Sequence, residues 1–183
     1  YHHVFIAIDG FLLDQGLADT LFRSLLRHGV ATECYRYAGG EPDSDTVEAA
    51  ARQLADAQCD AIIAFGGGSV LDTAKAIAVL AAHPGMGVAE LAAAPILPNG
   101  RMPLLLVPTT AGTGSEATNI TVITDSASGI KQAIVQPALI PDVAVIDACL
   151  PLGVPAPLTA ATGIDALTHA IEAYLARGTN PLT

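Results

Sequence analysis

The first candidate ligand site lies where an apolar run ends in three glycines. Gly66-Gly67-Gly68-Ser69 directly follows residues 61–65, which are all apolar, and a helical pattern starts at Ser69. Glycines at the end of a buried strand let the backbone turn sharply and approach a ligand closely. The helix that follows presents free N–H groups and the positive end of its dipole, and both suit a pyrophosphate.

The glycine motif alone leaves two interpretations open. Leu71 stands where the G-x-G-x-x-G fingerprint has its third glycine, and Lys75 comes too late for a Walker P-loop. A plain strand–helix turn, with Ser69 as N-cap and Asp72 as its capping-box partner, explains the same residues. Asp72 and Lys75 are expected on the polar side of the helix, opposite its apolar side.

A second loop, rich in hydroxyl groups, follows another strand of the buried type. After the apolar run 104–107, residues 108–116 (Pro-Thr-Thr-Ala-Gly-Thr-Gly-Ser-Glu) provide four hydroxyls and two glycines. Such a loop caps the next helix in many proteins. Loops at the carboxyl ends of parallel strands also form ligand clefts, and a second loop of this kind favours a cleft wall that hydrogen-bonds a cofactor.

Two further positions carry candidate polar ligands. Asp165 and His169 are four residues apart in a helical pattern, so both lie on one helix face and could bind one divalent metal. Taken alone, the pair is better explained as an ordinary helical ion pair, and two ligands do not complete a metal site.

Asp9 follows the apolar run 4–8 and has two interpretations. It could accept a hydrogen bond from a ribose, which would favour NAD over NADP, or it could form a turn with Gly10. The residue alone favours the turn.

These residues are expected at the ends of regular elements. Apolar runs alternate with helical patterns in the order βαβαβα, which predicts an α/β fold with a doubly wound parallel sheet. The predicted strands are 4–8, 32–37, 61–65, 104–107 and 143–146, the last also buried; 121–123 and 132–135 form a hairpin. The predicted helices are 17–26 (ended by Gly29), 46–57 (capped by Asp45 with Glu48), one starting at Ser69, 88–93 and 158–176.

The character of the chain changes near residue 150. Pro151, Pro155 and Pro157 punctuate a connection, after which strand-like runs cease and one long helical pattern follows. We therefore predict an α/β domain over residues 1–149 and the start of an all-helical domain over 150–183. The chain begins with Tyr1, almost at its first strand, and is expected to be a piece of a longer protein.

Composition narrows the class of protein. The 183 residues are 51% hydrophobic and 14% charged, as in a core-rich globular protein, and the net charge of −10 argues against a nucleic-acid partner. No apolar run is long enough to span a membrane. The three cysteines are widely spaced and form no CxxC pair, so we expect reduced thiols and a cytoplasmic location.

Considered together, residues 66–75, 108–116 and 161–174 resemble the signature stretches of the iron-containing (group III) alcohol dehydrogenase family. The resemblance covers nearly the whole chain, including Asp9 and the run 140–147. It implies a Rossmann-like NAD(P)-binding domain, a helical domain and an active site between them. The implied reaction is metal-dependent hydride transfer between a small-molecule alcohol, or the aldehyde or ketone, and NAD(P).

The resemblance also implies a role for each motif residue. Gly67, Gly68 and Ser69 are implied to bind the pyrophosphate, and Thr109, Thr110 and Thr113 to line the dinucleotide site. Asp72 and Lys131 are implied to make further contacts with the cofactor, and Asp9 to bind the adenine ribose. Asp165 and His169 are implied to bind the metal and to take part in catalysis. The cofactors implied are NAD, with NADP as the alternative, and Fe²⁺, with Zn²⁺ as the alternative. A homo-oligomer is a further expectation.

The sequence differs from the family in how much of the metal site it contains. Such enzymes complete that site with two further histidines from a later segment. Two other functions stay open at this point. One is a dehydroquinate-synthase-like metal- and NAD-dependent enzyme, against which the loop 108–116 favours the dehydrogenase. The other is a truncated dinucleotide-binding module without catalysis.

Overall fold

A five-stranded parallel sheet forms the centre of the chain in the computed structural model, which describes residues 1–95, 97, 100–178 and 180. The order of its strands is β2-β1-β3-β4-β7, and β5 and β6 form a separate antiparallel pair. The strands are β1 (His3–Asp9), β2 (Ala31–Tyr37), β3 (Ala61–Gly66), β4 (Leu104–Pro108), β5 (Ile120–Thr124), β6 (Lys131–Val135) and β7 (Val143–Ala144). The doubly wound α/β fold predicted from the sequence is confirmed.

The helices follow the strands in the alternation expected for such a sheet. They are α1 (Gly10–Asp14), α2 (Asp19–Arg27), α3 (Ser44–Asp56), α4 (Gly68–Ala82), α5 (Val88–Ala93) and α6 (Ala156–Leu175). Short 3-10 turns lie at Ser115–Ala117, Pro137–Leu139 and Leu150–Gly153. Among the helices described, none is at once long and apolar enough to cross a bilayer.

Alternate residues of β1 and β3 build two separate apolar cores, because successive strand residues point to opposite faces. Phe5 and Ile62 belong to the larger core, together with buried residues of α3, α4 and α5. Ile6 and Ile63 belong to the smaller core, against which α1 and α2 pack. Residues 4–8 of β1 and 61–65 of β3 are therefore all apolar, as expected for a parallel sheet covered on both faces.

Helix α4 is buried almost all round, since the β5–β6 hairpin covers the side that the sheet leaves open. Ten of its 15 residues are buried. Ile123 of β5 and Ile134 of β6 join the same core as α4, and the Thr121 hydroxyl donates to the Asp72 carbonyl at 2.8 Å. The hairpin was predicted from the sequence; its place against α4 was not.

Two predicted helix starts were wrong. Asp43, not Asp45, is the N-cap of α3 and accepts a hydrogen bond from the Thr46 amide at 2.9 Å. Glu48 does not close the predicted cap, because its carboxylate accepts from the Val88 amide at the start of α5. The helix predicted over 17–26 begins at Asp19, and the preceding α1 was missed.

The last strand of the sheet is shorter and more exposed than predicted. Only Val143 and Ala144 pair with β4, and both are exposed. As an edge strand, β7 has a neighbouring strand on one side alone, which leaves its apolar residues more exposed than those of the central strands. Gly29 does end α2 as predicted, with φ of 70° directly after the C-cap residue His28.

Shortening a central core residue tests this placement of the cores. Leu106 of β4 is 0% exposed, so Leu106→Ala should lower the free energy of unfolding by about 2–5 kcal/mol through lost burial and a residual cavity. Urea unfolding followed by circular dichroism measures this. Leu26→Ala, at a residue 76% exposed, is the matched control and should change stability by less than about 0.5 kcal/mol. Equal losses in the two variants would contradict this placement of the core.

Candidate cofactor and metal cleft

A cleft of about 1460 Å³ opens at the carboxyl ends of β1, β3 and β4. In the strand order, the chain leaves β1 for β2 on one side and returns to β3 on the other, so a topological switch point lies between β1 and β3. Ligands of open α/β sheets bind at such a point. All eleven residues singled out in the sequence line this one cleft: Asp9, Gly67, Gly68, Ser69, Asp72, Thr109, Thr110, Thr113, Lys131, Asp165 and His169.

The start of α4 is an open cradle. Gly67 is the N-cap, and its carbonyl accepts from the amides of Val70 and Leu71 at 3.0 and 3.1 Å. The amides of Gly68 and Ser69 are first-turn donors, so neither has an acceptor within the helix. The capping box of Ser69 with Asp72 is wrong, because Ser69 is already the second residue of the helix. Two free amides at a helix N-terminus are what an anion requires.

The hydroxyl-rich loop lies directly against this cradle. A Cβ at position 68 would be 2.7 Å from Thr113 Cγ2, and one at position 67 would be 3.4 Å from Thr110 Cγ2. The Thr109 amide donates to the Gly66 carbonyl at 3.0 Å and fixes the loop to the end of β3. Glycine at position 68 is therefore required for the close approach of the loop to α4.

Asp9 lies in a turn, as its place in the sequence favours, and uses one carboxylate oxygen to cap α1. Its Oδ1 accepts from the Phe11 amide at 2.8 Å and caps α1. Its Oδ2 makes no hydrogen bond to the described part of the chain, and Asp9 is one of the residues that line the cleft. The two interpretations of Asp9 are therefore compatible, since one oxygen caps the helix and the other is available to a ribose.

Lys131 and Tyr37 line the opposite rim. Lys131 Nζ lies 2.5 Å from Glu41 Oε1, and both side chains are more than half exposed. No local sequence pattern predicts this pair, because the two residues are 90 positions apart. The Tyr37 hydroxyl donates to the Gly40 carbonyl at 3.0 Å, and burial raises the pKa of Tyr37 to about 12. Tyr37 therefore stays protonated and is not suited to proton transfer near neutral pH.

A buried ionic network lies beneath the cradle. Asp72 Oδ1 accepts from the Ser115 hydroxyl, and Oδ2 accepts from the Val122 amide at 2.9 Å. Lys75 Nζ lies 3.9 Å from Asp72 Oδ1. Burial raises the pKa of Asp72 against these stabilising contacts, whereas burial lowers the pKa of Lys75 to about 8.

Lys75 was expected on a polar face, and this expectation was wrong, since its side chain is 0% exposed. The ammonium donates to Ser115 O at 2.8 Å, to Thr118 Oγ1 at 3.1 Å and to Ile120 O at 2.5 Å. The available signal was that Asp72 and Lys75 are the two charged residues of α4, a helix that is too apolar to face solvent along its length. Periodicity alone could not reveal the carbonyls that surround it.

Helix α6 brings the predicted metal ligands to the cleft. Asp165 Oδ1 and His169 Nε2 are 3.7 Å apart, and both side chains are about half exposed. The helix approaches the hydroxyl-rich loop closely at Gly112, where a Cβ would lie 2.5 Å from the Thr162 carbonyl oxygen. Within the described ranges, no group of three or more His, Cys, Asp or Glu side chains could hold a metal ion.

The parallel sheet, the switch point and the glycine cradle together define a Rossmann-like α/β protein. The family model described as iron-containing alcohol dehydrogenase matches residues 1–148. The chain therefore belongs to the iron-containing alcohol dehydrogenase family, and the resemblance inferred from its motifs is confirmed.

Individual relatives agree with the family assignment. The probable alcohol dehydrogenase EutG of Escherichia coli (strain K12) is 50% identical over 99% of this chain and 46% of its own length. A crystal structure of 1,3-propanediol oxidoreductase superposes with a TM-score of 0.92 at 35% identity, over 99% of this chain and 47% of that one. The crystal structure of sulfoacetaldehyde reductase from Bifidobacterium kashiwanohense in complex with NAD⁺ superposes with a TM-score of 0.90 at 32% identity. This match covers 99% of this chain and 47% of that one. The chain spans about half the length of these relatives.

The contact between α6 and the loop can be tested by adding one methyl group. Gly112→Ala should push the Thr162 carbonyl away and speed hydrogen exchange across residues 156–175, with an overpacking cost of about 1–3 kcal/mol. Hydrogen-exchange mass spectrometry measures the change. Gly153→Ala is the control, because a Cβ there meets open space. Unchanged exchange in Gly112→Ala would show that the helix does not touch the loop.

Proposed function

We propose that the protein to which this chain belongs is a metal-dependent oxidoreductase that transfers a hydride between an alcohol, or the corresponding aldehyde or ketone, and NAD(P). The observation that carries this proposal is the convergence of three separate motifs on one cleft at the switch point. The family assignment supports it, as do the alcohol dehydrogenase and reductase names of the relatives. The same names favour a dehydrogenase over a dehydroquinate-synthase-like enzyme.

The cradle fits a dinucleotide. The amides of Gly68 and Ser69 would bind the pyrophosphate, and the absence of a Cβ at Gly67 and Gly68 leaves room for it. Asp9 Oδ2 would accept from a ribose hydroxyl, which favours NAD over a cofactor with a 2′-phosphate at that place. Bound NAD would supply the nicotinamide that takes up or releases the hydride.

The other residues of the hydroxyl-rich loop and the rim complete the proposed cofactor site. Thr109, Thr110 and Thr113 would line the dinucleotide wall, and Lys131 would reach the cofactor after leaving Glu41. Asp72 lies at the floor of the cleft, where its carboxylate holds the loop through the Ser115 hydroxyl. Together they would orient the nicotinamide relative to the substrate carbon and keep water from the site.

The face of α6 fits part of a metal centre. Asp165 and His169 offer one carboxylate oxygen and one imidazole nitrogen, a donor set compatible with Fe²⁺ and with Zn²⁺. Bound there, the metal would act as a Lewis acid on the substrate oxygen. Because two donors do not complete such a centre, the remaining ligands are proposed to come from outside the described residues.

The finer organisation belongs to the same proposal. Residues 1–149 would form the cofactor-binding domain, and 150–183 would begin the helical domain that carries the metal. The exposed apolar residues of α6 support a helix that is covered in the whole protein. A cytoplasmic location is supported by the free state of Cys34, Cys59 and Cys149, and a homo-oligomer is proposed from the resemblance alone.

The cofactor assignment predicts that a side chain in the cradle abolishes nucleotide binding. Calorimetric titration of the full-length protein should give NAD⁺ binding in the micromolar range and weaker NADP⁺ binding. Gly68→Val should remove both, because the added carbons meet Thr113 and close the cradle. Gly163→Ala, where a Cβ meets open space, should bind as the wild type does. If the wild type binds neither nucleotide, the cofactor assignment is wrong.

The metal assignment predicts that His169→Ala loses most of the metal bound by the full-length protein. The reason is that one of a small set of donors is removed. Elemental analysis of the purified protein measures metal content without relying on activity. His28→Ala, at an exposed histidine after α2, is the matched control and should keep its metal. Equal metal content in both variants would exclude His169 as a ligand.

A further inference from the structure

We infer that Lys75 is a positioning residue that sets the distance between the glycine cradle and the hydroxyl-rich loop, and thereby the affinity for the dinucleotide. This inference rests on the proposed function and deepens it. Lys75 is not among the residues that line the cleft. Lys75 therefore makes no contact with the cleft itself, and its structural influence on a bound ligand runs through the groups that it holds.

The Lys75 ammonium forms hydrogen bonds that connect α4 to the chain around Ser115 and the start of β5. Its three N–H groups face three near acceptors, Ser115 O, Thr118 Oγ1 and Ile120 O, and Ser115 Oγ lies farther away at 3.4 Å. The acceptors lie in the last part of the hydroxyl-rich loop (Ser115), just after it (Thr118) and at the first residue of β5 (Ile120). Lys75 belongs to α4, two helical turns after the cradle. The lysine thus joins the helix that carries the free amides to the loop that faces them.

Asp72 strengthens the same connection from one turn nearer the cradle. Its carboxylate accepts from the Ser115 hydroxyl and the Val122 amide, so Ser115 is held by Asp72 through its side chain and by Lys75 through its carbonyl. Two residues further back along the loop, Thr113 sits against Gly68. A shift of Ser115 would therefore move Thr113, which lies two residues earlier and packs against the cradle.

The number of protons on the ammonium matters for this role. A neutral amine has two N–H groups and a lone pair, so Lys75 could no longer donate to all three acceptors at once. The pKa of Lys75 is lowered from 10.5 to about 8, so deprotonation occurs in the folded protein within an accessible range of pH. The charged groups that face the ammonium are Asp72, from its own helix, and Glu116, from the loop.

The test is NADH affinity of the full-length protein, measured by fluorescence titration between pH 6.5 and 9.5 in the wild type and three variants. Affinity of the wild type should fall as the pH rises through about 8, because the third donor is lost. Lys75→Met should bind NADH about tenfold more weakly at pH 7 and show no step near pH 8. Thr118→Val, which removes one acceptor and keeps the shape of the side chain, should give a smaller loss.

The control separates positioning from a general structural role. Arg101 is also a mostly buried cation, and it donates to the carbonyls of Ile140 and Met102 near the start of β4, away from the cleft. Arg101→Met should lose stability in urea unfolding and keep its NADH affinity at every pH. A loss of affinity equal to that of Lys75→Met would overturn the inference.

The remaining outcomes are decisive in the same way. Lys75→Met that unfolds cooperatively and binds NADH as tightly as the wild type would overturn the inference and leave the proposed function intact. If Lys75→Met does not fold, the pH dependence of the wild type decides, because Thr118 itself lines the cleft: a step near pH 8 supports the inference and its absence overturns it. A wild type that does not bind NADH at pH 7 overturns the proposed function and the inference with it.

Discussion

The arrangement of the cleft depends on the absence of side-chain atoms at three glycines. A Cβ at position 66, 68 or 112 would lie 2.5–2.8 Å from Val70, Thr113 or Thr162 respectively, well inside ordinary contact distance. None of these glycines needs a positive φ; what each provides is close approach. The turn after β3, the fit of the loop against α4 and the position of α6 are all built on that approach, so the sheet determines where the cleft lies and the glycines determine how closely its walls meet.

The network beneath the cleft carries a cost that core packing alone does not require. Burial lowers the pKa of Lys75, which means that the folded state disfavours the very cation that its three acceptors need. An apolar side chain at this position would avoid that desolvation but would leave the carbonyls of Ser115 and Ile120 without this donor. The lysine thus exchanges some favourable solvation for a fixed position of the loop.

Much of the fold could be predicted from the sequence because the central strands are continuous apolar runs bounded by glycine, proline or aspartate. The strands around Val4, Ala61 and Leu104 were placed to within one or two residues. Errors arose where one residue type serves two purposes. Asp43 and Asp45 can both cap a helix by residue type; in the structure Asp43 accepts from Thr46, and Glu48, the partner expected for Asp45, accepts from the Val88 amide instead.

The candidate site was predictable in its members and not in their contacts. Each motif is local, so the eleven lining residues could be identified from spacing and resemblance. The pairs Lys131–Glu41 and Lys75–Ile120 join residues 90 and 45 positions apart, and no local pattern encodes them. The depth at which Lys75 is buried follows from the hairpin lying on α4, which is a property of the tertiary structure.

The exposed apolar side chains of helix α6 affect how the polypeptide behaves before they are covered. It has no buried residue, and Leu158, Ile164, Leu167, Ile171, Tyr174 and Leu175 are all exposed. An uncovered apolar helix of this kind is what chaperones recognise on newly made polypeptides and what drives aggregation of intermediates. For as long as that surface stays uncovered, the rate of aggregation relative to the rate of covering it would decide how much polypeptide matures.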